Sequence, residues 1–331
     1  MTESIGGAAT RLIARDPGIP NGWYAVAWSK ELDPGQVKSL RCFGHELVLF
    51  RTRSGQPKVL SAYCPHLGIH MAKGGRVMGE TLRCPQHGWQ YDGDTGKCME
   101  IPYCDEIPKR ACVRKWDVVE RNLMIFVWHH AEEKAPHWEV PIVTQLEDPD
   151  WSEPRTFDLE VPVHMQDMAE NNLDPVHFRF VHRMDEIPET EISIDEGGRF
   201  LKATSYVEKT TPAGSYKMSL IRDTWGLGMS SVEMAGFPGV GLYMFSSTTP
   251  VDNHNTVSRW LLFSTKNTID SAGEEWFDSM TRGVMDDWDV WTNKIHLVNP
   301  VFCKADTPLV TFRRWARQFY SDPITTPENN A

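Results

Sequence analysis

The sequence lacks any apolar run of the roughly 18 residues that a membrane-spanning helix needs. It also opens without the apolar core of a signal peptide, since Thr2, Glu3 and Asp16 stand where that core would lie. A bacterial-style cytoplasmic location is expected, with no membrane span. Basic residues are in the minority, 34 Lys and Arg against 45 Asp and Glu for a net charge of −11, so the basic face of a nucleic-acid binder is missing. Seven cysteines, an odd number at no framework spacing, argue against a disulfide scaffold. Internal repeats and low-complexity segments are absent too. What remains is the composition of an ordinary globular protein, 40% apolar and 24% charged. The 331 residues are enough for two domains with cores of their own.

Two of the cysteines belong to a motif. Cys64-Pro65-His66 is followed, after seventeen residues, by Cys84-Pro85-Gln86-His87. Two thiolates and two imidazoles are the ligand set of a Rieske [2Fe–2S] centre, in which two His replace two Cys on one iron and raise the reduction potential. Tetrahedral zinc accepts the same donors, but zinc fingers usually pair Cys with Cys and His with His. The interleaved order here favours the cluster. Leu67-Gly68 and Gly88-Trp89 supply a small turn after each pair, able to aim backbone N–H groups at cluster sulfurs.

Residues 1–19 read as an N-terminal arm packing on a later domain. Residues 20–130 carry short β-rich runs at 23–28, 46–51, 58–62 and 123–128, separated by Gly, Pro and Asp turns, as in a small all-β barrel or sandwich. Gly74-Gly75 and Asp92-Gly93-Asp94-Thr95-Gly96 have the composition of hairpin turns. A polar, Pro-punctuated stretch around Glu132-Glu133-Lys134-Ala135-Pro136 marks the boundary to a second domain, 131–331. There, strands are expected at 156–163, 200–207, 216–224, 229–234, 242–248 and 257–266, with a helix over 164–181 and a long one over 271–297. The fold class is α+β, an antiparallel sheet with a long helix laid across it.

The first of those helices contains Asp174-Pro175-Val176-His177 and, five residues on, His182. Five steps of about 100° separate the two imidazoles in angle, and the distortion forced by Pro175 is what would let them converge. Two His and one carboxylate form the facial triad of non-heme Fe(II), which leaves positions open. On the long helix Met280, Val284, Trp291 and Ile295 make an apolar stripe, and Asp287 falls inside it, a costly place for a carboxylate unless paired or metal-bound. Asp286 and Asp289 lie off the stripe as solvated charges. Asp174, three residues before His177, is either a helix-start carboxylate or a partner that hydrogen-bonds an iron-bound His and couples it to the cluster; the second is favoured.

With both constellations present, the chain resembles the terminal oxygenase component of Rieske non-heme iron oxygenases, from Asn21-Gly22-Trp23-Tyr24 to Phe312-Arg313-Arg314-Trp315. Cys64-Pro65-His66-Leu67-Gly68, Arg83-Cys84-Pro85-Gln86-His87-Gly88-Trp89-Gln90-Tyr91-Asp92-Gly93 and Asp287-Trp288-Asp289-Val290-Trp291-Thr292-Asn293-Lys294 are most similar to 3-ketosteroid 9α-hydroxylase oxygenases and cholesterol 7-desaturases. The resemblance implies Cys64, His66, Cys84 and His87 as cluster ligands, His177, His182 and Asp287 as iron ligands, and Asp174 as a bridging carboxylate. It further implies O2 as co-substrate, NAD(P)H acting through a flavin-containing reductase, possible participation of a ferredoxin, and a homotrimer in which Asp174 meets a cluster His of the next chain. A helix-grip catalytic domain and hydroxylation or desaturation of a hydrophobic, steroid- or sterol-like substrate follow from the same source. Respiratory Rieske proteins carry an extra Cys beside each ligand pair; Ile69 and Gln86 stand there here, and with fewer hydroxyl donors a lower potential is expected.

Two rival readings stand beside this one. The first is a Rieske oxygenase for an aromatic acid or amine, which a cation deep in the pocket would support; Arg222 and Arg259 are the candidates, and both are expected at outward strand positions. The second is a Rieske electron-transfer protein fused to a lipid-binding domain, in which His177, His182 and Asp287 would not converge. Trp225, Met229, Met234, Phe237, Met244 and Phe263 are candidate pocket walls. His164, His254 and His296 are expected to be satisfied or exposed rather than ligands. His70 either covers the cluster or lies on the surface, and Glu170-Asn171-Asn172 either orient the iron ligands or face solvent.

Overall fold

The computed structural model describes residues 18–321 other than 212–213, 237–239 and 274. All but the last two positions of the expected N-terminal arm therefore lie outside the described residues. The first half folds into three small antiparallel sheets. One joins Gly22–Trp28 to Met124–His129 and Val118–Arg121. A second is built from Val37–Cys42, His45–Arg51, Pro57–Ser61 and Lys115–Trp116, and a third from Arg76–Met78, Thr81–Arg83, Gln90–Asp92 and Cys98–Glu100. The four strands read from sequence here are found to within a residue at each end.

Asp92–Gly96 makes the last turn of the third sheet. Gly96 sits at φ +69, and a Cβ there would collide with the carbonyl of Val113, so only glycine fits. Gly74-Gly75 differs from expectation. It closes the loop after the first Cys/His pair, ahead of strand Arg76–Met78, and joins no hairpin.

The second half is one seven-stranded antiparallel sheet, ordered Arg155–Val161, Thr256–Ser264, Leu242–Pro250, Met229–Ala235, Gly214–Trp225, Phe200–Thr211, Glu189–Ile194. The last of these is an edge strand missed in the sequence. Its residues are mostly exposed, so it carries no continuous apolar signal. Five α-helices are described: α1 (Met165–Ala169), α2 (His177–Phe180), α3 (Lys266–Ala272), α4 (Glu275–Trp291) and α5 (Thr307–Ala316). The long helix expected over 271–297 is shorter at both ends. Gly273, at φ +69, closes α3 with its N–H on the Ile269 carbonyl, and α4 stops at Trp291. Ile295 is consequently 75% exposed and no part of the stripe. Phe277 and Met280 of α4 pack on Leu242 and Leu262 of the sheet, and Trp291 on Val161, Val163 and Met168. The helix thus lies across one end of the sheet, as the α+β reading requires.

The two halves are joined through a bulge. The pairing of Gly22–Trp28 shifts register between Ala25 and Ala27, which frees the Ala25 backbone. Its N–H donates to Ser247 Oγ at 2.9 Å, and its carbonyl accepts from Thr249 Oγ1 at 2.6 Å and Arg259 Nη1 at 2.7 Å. Arg259 is therefore buried at the junction rather than outward, because a bulged carbonyl needed a donor. Trp23, Trp28, Phe126 and Trp128 fill the same junction against Phe245, Leu261 and Phe263.

Candidate metal centres and substrate cavity

The two Cys/His pairs occupy two loops of the same construction. In each, the Cys N–H bonds a carbonyl five residues on (Cys64 to Ile69, 3.0 Å; Cys84 to Trp89, 2.8 Å), and a glycine N–H bonds back to the Cys carbonyl (Gly68, 2.9 Å; Gly88, 3.2 Å). Both glycines take positive φ, +76 and +78, which permits so tight a return. Cys64 and Cys84 are buried at 1% and 2% exposure. Burial pushes the Cys84 thiol up, opposed by the backbone N–H groups of Gln86 and His87. Amide donors are expected from the Gly88-Trp89 turn; these two precede it, and the Gly88 N–H bonds the Cys84 carbonyl instead.

The imidazoles of His66 and His87 lie 4.6 Å apart, and His66 is stacked at 4.5 Å on Trp89, whose Nε1 donates to the Tyr103 hydroxyl. The Nδ1 atoms of both His66 and His87 are buried with no hydrogen-bond partner. Two buried sulfurs and two orphaned imidazole nitrogens on facing loops fit a [2Fe–2S] group, which would supply the missing partners. The Tyr91 hydroxyl approaches Cys64 Sγ at 3.1 Å, a hydroxyl neighbour that the sequence reading did not single out. His70 does not cap this site; its Nδ1 accepts from the Ala72 N–H, and its Nε2 faces Glu46 at 3.6 Å and Ser39 at 3.3 Å.

The single helix expected over 164–181 is broken into α1, a 3₁₀ turn (Glu170–Leu173) and α2. Pro175 excludes the residue before it from helical geometry, and Asp174 is extended, at φ −91 and ψ 101. Asp174 Oδ1 then accepts the N–H groups of Val176 (2.9 Å) and His177 (3.2 Å), restarting the helix as a cap. The carbonyl of Asp174 contacts His177 Nδ1, which turns Nε2 the other way, to 3.4 Å from Asn171 Nδ2.

Beyond α2 the chain reverses at Arg183, at φ +56, and His182 Nε2 comes to 3.4 Å from Asp287 Oδ1 of α4. Ligand atoms of His177, His182 and Asp287 lie within 4.8 Å of one another. Burial holds His177 below the ordinary imidazole value, partly offset by the charges of Asp287 and Asp174. Burial also depresses His182, but the hydrogen bond and charge of Asp287 outweigh it and hold His182 above that value. Asp287 is 14% exposed at its side chain, whereas Asp286 is 38% exposed beside Arg183. A buried, converging His/His/carboxylate set fits divalent iron.

Glu170 and Asn172 face inward, not solvent. Glu170 accepts from Gln166 Nε2 and Arg313 Nη2 of α5, and Asn172 contacts Thr224. His164 and His296 are satisfied, but not as isolated residues: with Asp167 they form a second set whose ligand atoms lie within 4.8 Å of one another. Their rings lie 4.1 Å apart, His296 Nδ1 meets the buried Asp167 carboxylate at 2.7 Å, and Lys294 reaches its other oxygen at 3.1 Å. His254 is exposed.

The triad sits in the wall of a cavity of about 410 Å³ between the sheet and α4. Seven methionines line it, among them Met229, Met234 and Met244. Phe263 and Trp225 belong to the core of the junction instead, and Phe237 lies outside the described residues. Arg222 corrects a second expectation. It occupies a cavity-facing position between Leu220 and Thr224 and is 1% exposed, because its guanidinium folds beneath the Phe178 ring, 4.9 Å from the centroid.

Residues 22–117 match the Rieske [2Fe-2S] domain and residues 127–320 the 3-ketosteroid 9alpha-hydroxylase C-terminal domain. Cholesterol 7-desaturase nvd 1 of Ciona intestinalis is 30% identical over 92% of the chain and 70% of its own length. The 3-ketosteroid-9-alpha-monooxygenase oxygenase component of Rhodococcus rhodochrous is 28% identical over 93% and 86%. In fold, the caffeine-bound NdmA QL mutant of Pseudomonas putida CBB5 superposes with a TM-score of 0.74, at 22% identity and 89% coverage of both chains. Dicamba monooxygenase gives 0.70 at 20% identity, over 91% and 97%.

Fold and sequence thus converge on the Rieske oxygenases, oxidoreductases that combine a [2Fe–2S] cluster with non-heme iron. The chain belongs to the branch of that family carrying the 3-ketosteroid 9α-hydroxylase C-terminal domain. No helix of the described residues is long and apolar enough to cross a membrane.

Proposed function

We propose that the protein is a terminal oxygenase for a steroid- or sterol-like substrate, with Cys64, His66, Cys84 and His87 holding the cluster and His177, His182 and Asp287 the iron. The observation that carries this reading is the position of the triad in a methionine-rich cavity of about 410 Å³, inside the roughly 300–1,000 Å³ range of small-molecule sites. Iron bound there would supply O2 activation, fed by electrons from the cluster. The chain's own contribution is orientation and dryness. Flexible Met side chains mould to a rigid apolar skeleton, while α4 and the sheet exclude water around it. The Asp174 carbonyl accepts from His177 Nδ1–H, which leaves Nε2 for the metal with Asn171 beside it; such outer contacts fix ligand orientation.

Asp174 is assigned the bridging role, touching a cluster His of a neighbouring subunit in a homotrimer. A flavin-containing reductase, with or without a ferredoxin, is the electron donor, and the cytoplasm the location. The test incubates the protein with a surrogate reductase, NADH and a panel of steroids and aromatics, recording oxygen uptake and product mass. Uptake coupled to a steroid product supports the reading, and uptake coupled only to aromatic products removes it.

A further inference from the structure

Arg222 is the only Arg or Lys among the described residues that line the cavity. A guanidinium carries its charge under all ordinary conditions and presents five N–H donors. Here Nη2 donates to Ser205 Oγ, while Nε and Nη1 are buried without a hydrogen-bond partner. Among the described residues no carboxylate forms an ion pair with it. The carboxylate whose charge reaches it is that of Asp174, whose Oδ1 is already engaged by two backbone N–H groups. Burial pushes Arg222 down to about 10, against the pull of Asp174. An uncompensated buried cation is costly to keep, and its two unpaired donors lie buried against Phe178, just behind the wall of a mostly apolar chamber.

Its surroundings identify what would complete it. Strand residues Met218, Leu220, Arg222 and Thr224 all line the cavity, so the guanidinium stem starts from the substrate-facing side of the sheet. Phe178, which covers the guanidinium, also lines the cavity and directly follows His177. A ligand filling the methionine-lined space therefore ends close to both Arg222 and the triad. We infer that Arg222 is a specificity-determining residue that receives a carboxylate carried by the substrate, its counter-ion in a mostly apolar site. The inference rests on reading this cavity as the substrate site. The carboxylate is that of an acidic steroid side chain or of an aromatic acid, and the two are separated by experiment.

The test measures equilibrium binding to the anaerobic holoprotein of three probes: a 3-oxo steroid with a side-chain carboxylate, its methyl ester, and a benzoate-type aromatic acid. The steroid acid is expected to bind about 10- to 100-fold more tightly than its ester, the effect of one or two charge-assisted hydrogen bonds. R222M should abolish that difference while leaving the ester within about twofold, and R222K should keep part of it. Equal binding of acid and ester by the unsubstituted protein overturns the inference with no variant needing to fold, and leaves the steroid reading intact. Loss of acid and ester alike in R222M, or an acid preference that survives it, also overturns it. If only the aromatic acid binds and R222M removes that binding, the inference stands and the steroid reading falls; if no probe binds, both fall.

Discussion

Replacing Tyr91 by Phe isolates one hydrogen bond at the proposed cluster. Tyr91 and Cys64 are 0% and 1% exposed, and the hydroxyl lies 3.1 Å from Cys64 Sγ. With Cys64 ligating as a thiolate, the hydroxyl can only donate. Loss of one oxygen leaves the ring packed among Leu82, Cys84 and Cys98, so little else changes. A hydrogen bond to a charged acceptor is worth about 1.5–3 kcal/mol. It favours the reduced cluster, whose sulfurs bear more negative charge, and a differential of about half that value is reasonable. Since 59 mV corresponds to about 1.4 kcal/mol for one electron, Y91F should lower the midpoint potential by roughly 30–65 mV. Redox titration followed by electron paramagnetic resonance of the reduced cluster reads this directly. An unchanged or raised potential, with a normal cluster spectrum, would refute the reasoning.

Other outcomes follow from packing and charge. Arg51 forms a two-pronged pair with Glu120 at 2.7 and 2.8 Å, and that hydrogen bond holds the Glu120 carboxyl below its ordinary value of 4.5. Because the folded value is the depressed one, this stability is present above pH 4.5 and is lost as pH falls through the folded value. E120Q should cost about 1–2 kcal/mol at pH 7 in urea unfolding, discounted for partial exposure, with the difference shrinking as pH falls below 4.5. G96A, at φ +69 and against the Val113 carbonyl, should cost upward of about 2 kcal/mol and reduce cluster retention; thermal unfolding checks it, and an unchanged midpoint would contradict the steric argument. Light scattering should give three times the 37.8 kDa of one chain, and a monomer mass would remove the intersubunit role of Asp174.

What was legible in the sequence depended on how local the signal was. The two Cys/His pairs are short-range patterns whose spacing alone names a donor set, and the strands around them are compact apolar runs cut off by turn residues. A distortion at Pro175 was visible because proline acts on its immediate neighbour, but the full break into α1, a 3₁₀ turn and α2 was not. The fate of Arg222 and Arg259 was not, since both answer to distant partners: Phe178 and Ser205 for the first, the bulged Ala25 carbonyl for the second. The Asp167, Lys294 and His296 network joins α1 to the segment after α4 across more than a hundred residues, beyond the range of any spacing rule. Edge strand Glu189–Ile194 failed for lack of a continuous apolar pattern, whereas helix α5 was missed although Phe312, Trp315, Ala316 and Phe319 fall at helical spacing. Asp174 remained ambiguous because the same carboxylate that caps α2 is the one assigned to the bridge.

Iron content per chain, compared between the protein and H177A, tests the central claim most directly. The account predicts about three iron atoms per chain, falling to about two in H177A with the visible spectrum of the cluster retained and oxygenase turnover lost. Two iron atoms in both proteins, with turnover unaffected by H177A, would contradict it.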